Sequence, residues 1–166
     1  AGAVLIDSGA THNGAHQIHE AVRRVTQQPV RWVINTGGQD HRWLGNGYFT
    51  AQGAEVIAHA NAKSAIIGEG RRTAVPHLTF SEQMSVELGG TTVELSYVGR
   101  NHSDNSIVIR FPKERVAFAV DFVPVNSVAF RDLPDAYLAE WFESLRRVEA
   151  MDFDVFAPGH GPLGNK

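Results

Sequence analysis

Five short apolar runs in this chain each stop at a turn, and each is followed by a histidine or an aspartate. Val4-Leu5-Ile6 runs into Asp7-Ser8-Gly9, and Val30 to Ile34 (VRWVI) stops at Asn35-Thr36-Gly37-Gly38, just before Asp40-His41. The run at 91–98 precedes His102, the run at 116–120 ends on Asp121, and Asp154-Val155-Phe156-Ala157 is followed by His160. Short apolar runs cut off by turn residues read as strands. Strand ends in a layered protein gather at a sheet edge, where loops build sites on a rigid scaffold. Five such coincidences, all using His or Asp, point to a metal centre.

The rest of the chain supplies the layers. Residues 15–27 carry Ile18, Ala21, Val22 and Val25 at helical spacing, which predicts an amphipathic helix. After Gly38 a Gly-rich loop and short helix are expected, then a strand over Glu55 to Ala58. Residues 61–80 hold Gly68, Gly70 and Pro76, and read as a helix fragment plus loop. Ser85 to Leu88 and Thr91 to Val98 form a hairpin around Gly89-Gly90, since two glycines permit the positive φ angles of a tight turn. A second hairpin joins Ser106–Phe111 to Val116–Val120 around Pro112-Lys113-Glu114-Arg115. Residues 134–149 place Leu138, Trp141, Phe142, Leu145 and Val148 on one helical face, with Pro134 in the first turn. Helices mixed with hairpins suggest sheet layers covered by helices, in one α/β domain over 1–166 without repeats or linkers.

Composition narrows the chemistry. The chain has 166 residues, no cysteine and eight histidines, so Cys-ligated zinc, iron–sulfur clusters, thiol catalysis and a disulfide framework are excluded. A bound metal would have to use His and Asp or Glu. Imidazole with carboxylate suits zinc or another first-row ion, whereas calcium and magnesium favour oxygen cages. A net charge of -3 argues against a generic nucleic-acid binder, and no apolar run approaches the roughly 20 residues of a membrane helix. Ala1 is not an initiator Met, no charged leader precedes the first strand, and the chain stops on the turn-rich Pro158 to Lys166. The expectation is a domain trimmed at its ends, with periplasm and cytoplasm both open as its compartment.

Val4-Leu5-Ile6-Asp7-Ser8-Gly9, Val33-Ile34-Asn35-Thr36, Gly45-Asn46, the His102 segment, Phe118-Ala119-Val120-Asp121 and Pro158-Gly159-His160-Gly161 resemble, in order, the successive motifs of the metallo-β-lactamase superfamily. The resemblance implies a four-layer αβ/βα sandwich whose sheet edges hold one or two metal ions. It also implies that the family's opening strands and a closing helix are missing here. One loop departs from the pattern. The family's signature reads Thr-His-x-His-x-Asp-His-x-x-Gly-Asn, whereas Thr36 to Asn46 reads TGGQDHRWLGN. Without a gap, Gly37 and Gln39 replace the first two histidines, His41 replaces the Asp and Arg42 the last His. A one-residue slip would instead put Asp40 and His41 in the Asp-His places. The loop also resembles that of zinc metallohydrolases associated with quinoprotein systems.

The resemblance therefore implies one ion, zinc or another first-row divalent metal, rather than two. His41, His102, Asp121 and His160 are the candidate ligands, with Asp40 as ligand or proton acceptor. Asp7 is either a turn-former or a residue orienting a ligand histidine. Arg42 either grips a substrate carboxylate or phosphate, or fills the vacated metal position as a fixed cation. His12, His16 and His19 read as ordinary surface or turn residues, His59 and His77 have no assigned role, and the tryptophans read as packing. The expected function is hydrolysis of an ester, thioester, lactone or amide in a small-molecule substrate, with no nucleic-acid or membrane partner and the oligomeric state open. The rival is an accessory or ligand-binding protein that kept the fold and lost the metal. An iron oxygenase of the same superfamily is disfavoured, because such enzymes resemble the parent in using the missing His pair.

Overall fold

The computed structural model describes residues 1–128, 133 and 136–166. The chain divides into two compact units, Ala1–Phe80 and Ser81–Lys166.

The first unit is a four-stranded parallel sheet in the order β1 (Ala3–Ile6), β2 (Val30–Ile34), β3 (Glu55–His59), β4 (Leu78–Phe80). Parallel neighbours need crossovers, and the chain provides α1 (His12–Val25), then α2 (Asp40–Trp43) with α3 (Asn46–Thr50), then α4 (Ala60–Gly68). Thr11 caps α1, its Oγ1 accepting from the Gly14 N–H at 3.0 Å. Ala15, Val30, Val33, Phe49, Ala54 and Val56 form one apolar cluster with Leu5, Ile18 and Val22 against it. Trp43, Ala58, Ala62 and Ile66 form another. The apolar stripe of α1 ends at Val22: Val25, in the last helical position, is 88% exposed. Residues 61–80 prove more regular than expected, giving most of α4 and β4. His59 caps α4, Nδ1 accepting from the Asn61 N–H, and His77 Nδ1 accepts from the Val56 N–H at 3.0 Å. Both histidines thus have backbone-holding roles.

The second unit is a six-stranded sheet in the order β10 (Gly164–Asn165), β9 (Val155–Pro158), β8 (Val116–Ala119), β7 (Ile107–Phe111), β6 (Thr91–Tyr97), β5 (Gln83–Leu88). Both expected hairpins are present, and Gly89 and Gly90 take φ of 61° and 81°. All pairings are antiparallel except β8–β9, which is reached through the crossover helix α5 (Leu138–Glu149). Val98, Val108, Ala117, Ala119, Phe122, Trp141, Val148, Phe153 and Phe156 make its core. Helix α5 buries Trp141, Ser144 and Val148, while Leu138 and Phe142 of the expected apolar face are exposed. Ser144 takes a core position because its hydroxyl meets the Val98 and Arg100 carbonyls at 3.1 and 3.0 Å. Trp141 Nε1 donates to the Phe122 carbonyl at 2.8 Å. Pro134 lies outside the described residues.

Candidate metal centre

In the first unit the polar residues stand past β1 and β2. The register Ile6↔Ile34 sets Asp7 near Thr36 across the sheet edge. The Thr36 N–H donates to Asp7 Oδ1 at 2.9 Å and the Thr36 hydroxyl to Oδ2 at 2.7 Å. Asp7 holds φ +58°, a conformation that Asp tolerates better than most residues. Burial pushes its carboxyl up to about 6, against the opposing pull of the Arg42 charge and the two Thr36 hydrogen bonds. Burial pulls the Arg42 guanidinium, 1% exposed, down to about 10, partly offset by Asp7. Below them Ser8, Asn35 and Asn46 form a buried amide–hydroxyl network: Ser8 Oγ donates to Asn46 Oδ1 at 2.8 Å, and Asn46 Nδ2 donates to Asn35 Oδ1 at 2.8 Å. Asn35 and Ser8 also bind the Arg42 carbonyl. This network anchors α2 through the Arg42 carbonyl.

Helix α2 carries Asp40 and His41. His41 is exposed. Asp40 is engaged on both oxygens: Trp43 Nε1 donates to Oδ1 at 3.2 Å and Arg71 Nη1 to Oδ2 at 2.8 Å.

The elevated Asp7 pKa has a signed consequence. Between about 4 and about 6 the folded chain holds a proton on Asp7 that the unfolded chain has released, so stability falls as pH rises through that window. Comparing urea midpoints of the native chain and Asp7→Asn from pH 4 to pH 7, the native chain should lose about 1–3 kcal/mol relative to the variant. Parallel curves would show that Asp7 titrates normally.

In the second unit Asp121 and His160 stand past the parallel neighbours β8 and β9. Ala119 is in register with Pro158, and the Gly159 N–H donates to the Ala119 carbonyl at 3.1 Å. The pairing needs glycine at 159, because a Cβ there would lie 2.3 Å from Val120 Cγ1. Asp121 has φ +68°, and the Phe122 N–H reaches over it to the Val120 carbonyl at 2.9 Å. That is a γ-turn of the rarer, strained positive-φ kind. The turn aims the carboxylate along the strand end: Asp121 Oδ1 lies 2.9 Å from His160 Nε2. The Asp121 side chain is 8% exposed and the His160 side chain 72%, so the pair is rooted in the unit and open on one side. Imidazole nitrogen beside carboxylate oxygen is the donor chemistry expected of a zinc-type cation. His102, past β6, is 7% exposed and sits edge-on to Trp141 with ring centroids 5.8 Å apart. Its loop is pinned by the Asn101 N–H to the Ser103 carbonyl and by Ser103 Oγ to Ser106 Oγ at 2.7 Å. Thr36 and Gly159 shape these strand ends although neither carries metal-binding chemistry. Both stand inside the resembling motifs, but their roles come from contacts distant in sequence.

The model of the metallo-beta-lactamase superfamily matches residues 1–160. The chain belongs to that superfamily. It is 26% identical over 163 residues to the 2,4-dinitroanisole O-demethylase subunit alpha of Nocardioides sp. (strain JS1661), covering 96% of this chain and 49% of that protein. It is likewise 26% identical over 168 residues to a metallo-beta-lactamase type 2 of Bacillus sp. (strain 170), covering 99% of this chain and 65% of that protein. The chain thus spans about half to two-thirds of the length of these relatives. A metallo-beta-lactamase from Pontibacter korlensis superposes with a TM-score of 0.89 at 24% identity, over 99% of this chain and 77% of that one. This likeness establishes the metallo-beta-lactamase fold. Members of the superfamily are in general metallohydrolases of small molecules that bind divalent metals, usually zinc. Among the described residues, no helix is long and apolar enough to cross a membrane.

Proposed function

We propose that this chain is the metal-binding body of a hydrolase, holding one divalent cation, zinc first, through His41, His102, Asp121 and His160. The observation that carries the reading is the Asp121–His160 donor pair, 2.9 Å apart on a strained turn at adjacent strand ends. Strain kept at a polar strand end is commonly functional. A bound cation of this kind supplies Lewis-acid activation of water and of a substrate carbonyl. The protein's own residues set the rest. Asp121 is rooted by its γ-turn, while His160 and His41 present exposed imidazoles. Asp40, as proton acceptor or ligand, would have to exchange its contacts with Arg71 and Trp43, which assigns it a gated rather than a resident role. The substrate class is an ester, thioester, lactone or amide of a small molecule. The single-ion reading rests on Gly37 and Gln39 standing where the superfamily motif has histidines.

Elemental analysis of protein purified without chelator tests this. About one zinc-type ion per chain is expected, with loading cut at least tenfold in Asp121→Asn plus His160→Gln, as loss of ligands requires. Well under one ion per chain, with no rise in melting temperature on adding zinc, would defeat the reading. The buried Arg42–Asp7 charge pair favours a second reading, an accessory protein in which a fixed guanidinium replaces a metal's charge. That reading requires ligand binding to survive His102→Ala plus His160→Ala.

A further inference from the structure

We propose that the outer face of α1 is a separate transition-metal site, with His12 and His16 as its chelating pair. The two lie four residues apart in the 14-residue helix His12–Val25, so their side chains stand one turn apart on one face. Paired imidazoles at that spacing are a recurrent way for a helix to hold zinc. Both residues are exposed, which leaves their ring nitrogens open to a hydrated ion.

What distinguishes this face from any histidine-bearing helix is a common platform. Tyr48, in α3, meets three imidazoles edge-on: His12 at 5.1 Å and 78°, His16 at 5.9 Å and 84°, His19 at 5.7 Å and 72°. Tyr48 is itself fixed, its N–H bound to the Gly45 carbonyl at 3.0 Å and its ring packed edge-on to Phe49 at 5.2 Å. The phenol therefore holds His12 and His16 on the same side of the helix, reducing the rotamer freedom that chelation must remove. His19 Nδ1 lies 3.0 Å from Tyr48 Oη and ties the phenol to α1 from the other end. The nearest acidic residue on the helix, Glu20, is drawn to Arg23 at 3.6 Å. Two imidazoles with water completing the shell suit nickel, copper or zinc, and discriminate against magnesium and calcium.

The test is calorimetric titration with nickel alone, on a chain carrying Asp121→Asn and His160→Gln, which weakens the strand-end donors as competitors. About one nickel per chain is expected, weakened at least tenfold by His16→Gln or His12→Gln, as loss of one of two ligands requires. Both substitutions are at exposed positions, so helical circular dichroism should not change. Magnesium should give no binding heat. Tyr48→Leu should weaken nickel several-fold while leaving both ligands in place, which a mere pair of surface histidines would not show. If the background variant does not fold, the unsubstituted chain is titrated instead, and His16→Gln should lower its nickel stoichiometry by about one. Nickel binding unaltered by both His12→Gln and His16→Gln would overturn the proposal. A failure to find metal at Asp121 and His160 would not touch it.

Discussion

Gly45→Ala is expected to lower the melting temperature by about 10 °C or more. A Cβ at this position would lie 2.1 Å from the Ser8 carbonyl oxygen and 2.9 Å from Ala15 Cβ. Gly45 sits at φ -79°, ψ -6°, a conformation open to any residue, so the cost is wholly one of space. Nor can the neighbour yield easily. Ser8 is fully buried, its N–H is held by the Arg42 carbonyl at 2.8 Å, and the Gly45 N–H is held by the Gly9 carbonyl at 3.0 Å. Overpacking usually costs about 1–3 kcal/mol, and collision with pinned backbone belongs at or beyond the top of that range. Gly47→Ala is the control: nothing lies within 4 Å of its Cβ, and alanine favours the helix. Thermal melts of both variants decide the matter, and a Gly45→Ala loss below about 1 kcal/mol would contradict the close approach.

Arg42→Met should cost about 3–5 kcal/mol at neutral pH, because it strands the buried Asp7 carboxylate without its opposing charge. The loss should be pH-dependent in a stated direction. Asp7 takes up a proton near pH 6 in the native chain and at still higher pH once the guanidinium is gone. The variant's deficit is therefore smallest at and below about pH 6, where both folded chains hold the proton, and grows as pH rises from there through the variant's higher pKa. Adding Asp7→Asn to Arg42→Met should recover much of the stability, since the double variant buries neither charge. Urea unfolding at pH 5 and pH 8 measures all of this, and a pH-independent deficit would mean that Arg42 serves by packing alone.

The strands were legible wherever apolar runs met turn residues, as at Val30–Ile34 before Asn35 or at the Gly89-Gly90 hairpin. Leu78-Thr79-Phe80 escaped because three residues carry no periodicity, and its place beside β3 comes from pairing with Ile57 to His59. Phe142 looked apolar enough to be core, yet it follows Trp141 by one residue and so points elsewhere on the helix. Ser144 holds the core-facing place through hydrogen bonds that no hydrophobicity pattern reveals. At the site, residue types and strand-end positions could be read directly, since both are local. Engagements across the chain could not. Asp40 meets Arg71 over 31 residues and Asp7 meets Thr36 over 29. The three histidines of α1 looked ordinary because Tyr48, the residue that gathers them, lies 29 positions beyond His19.

Asp121 occupies a backbone pocket of conformational space that few side chains enter willingly. Alanine there would remove a carboxylate and at the same time pull the chain out of its hairpin-tight bend, confusing chemistry with shape. Asparagine, which tolerates positive φ about as readily, changes the charge and spares the bend. Any mutational survey of this strand end that relies on alanine will therefore overstate what the carboxylate itself contributes.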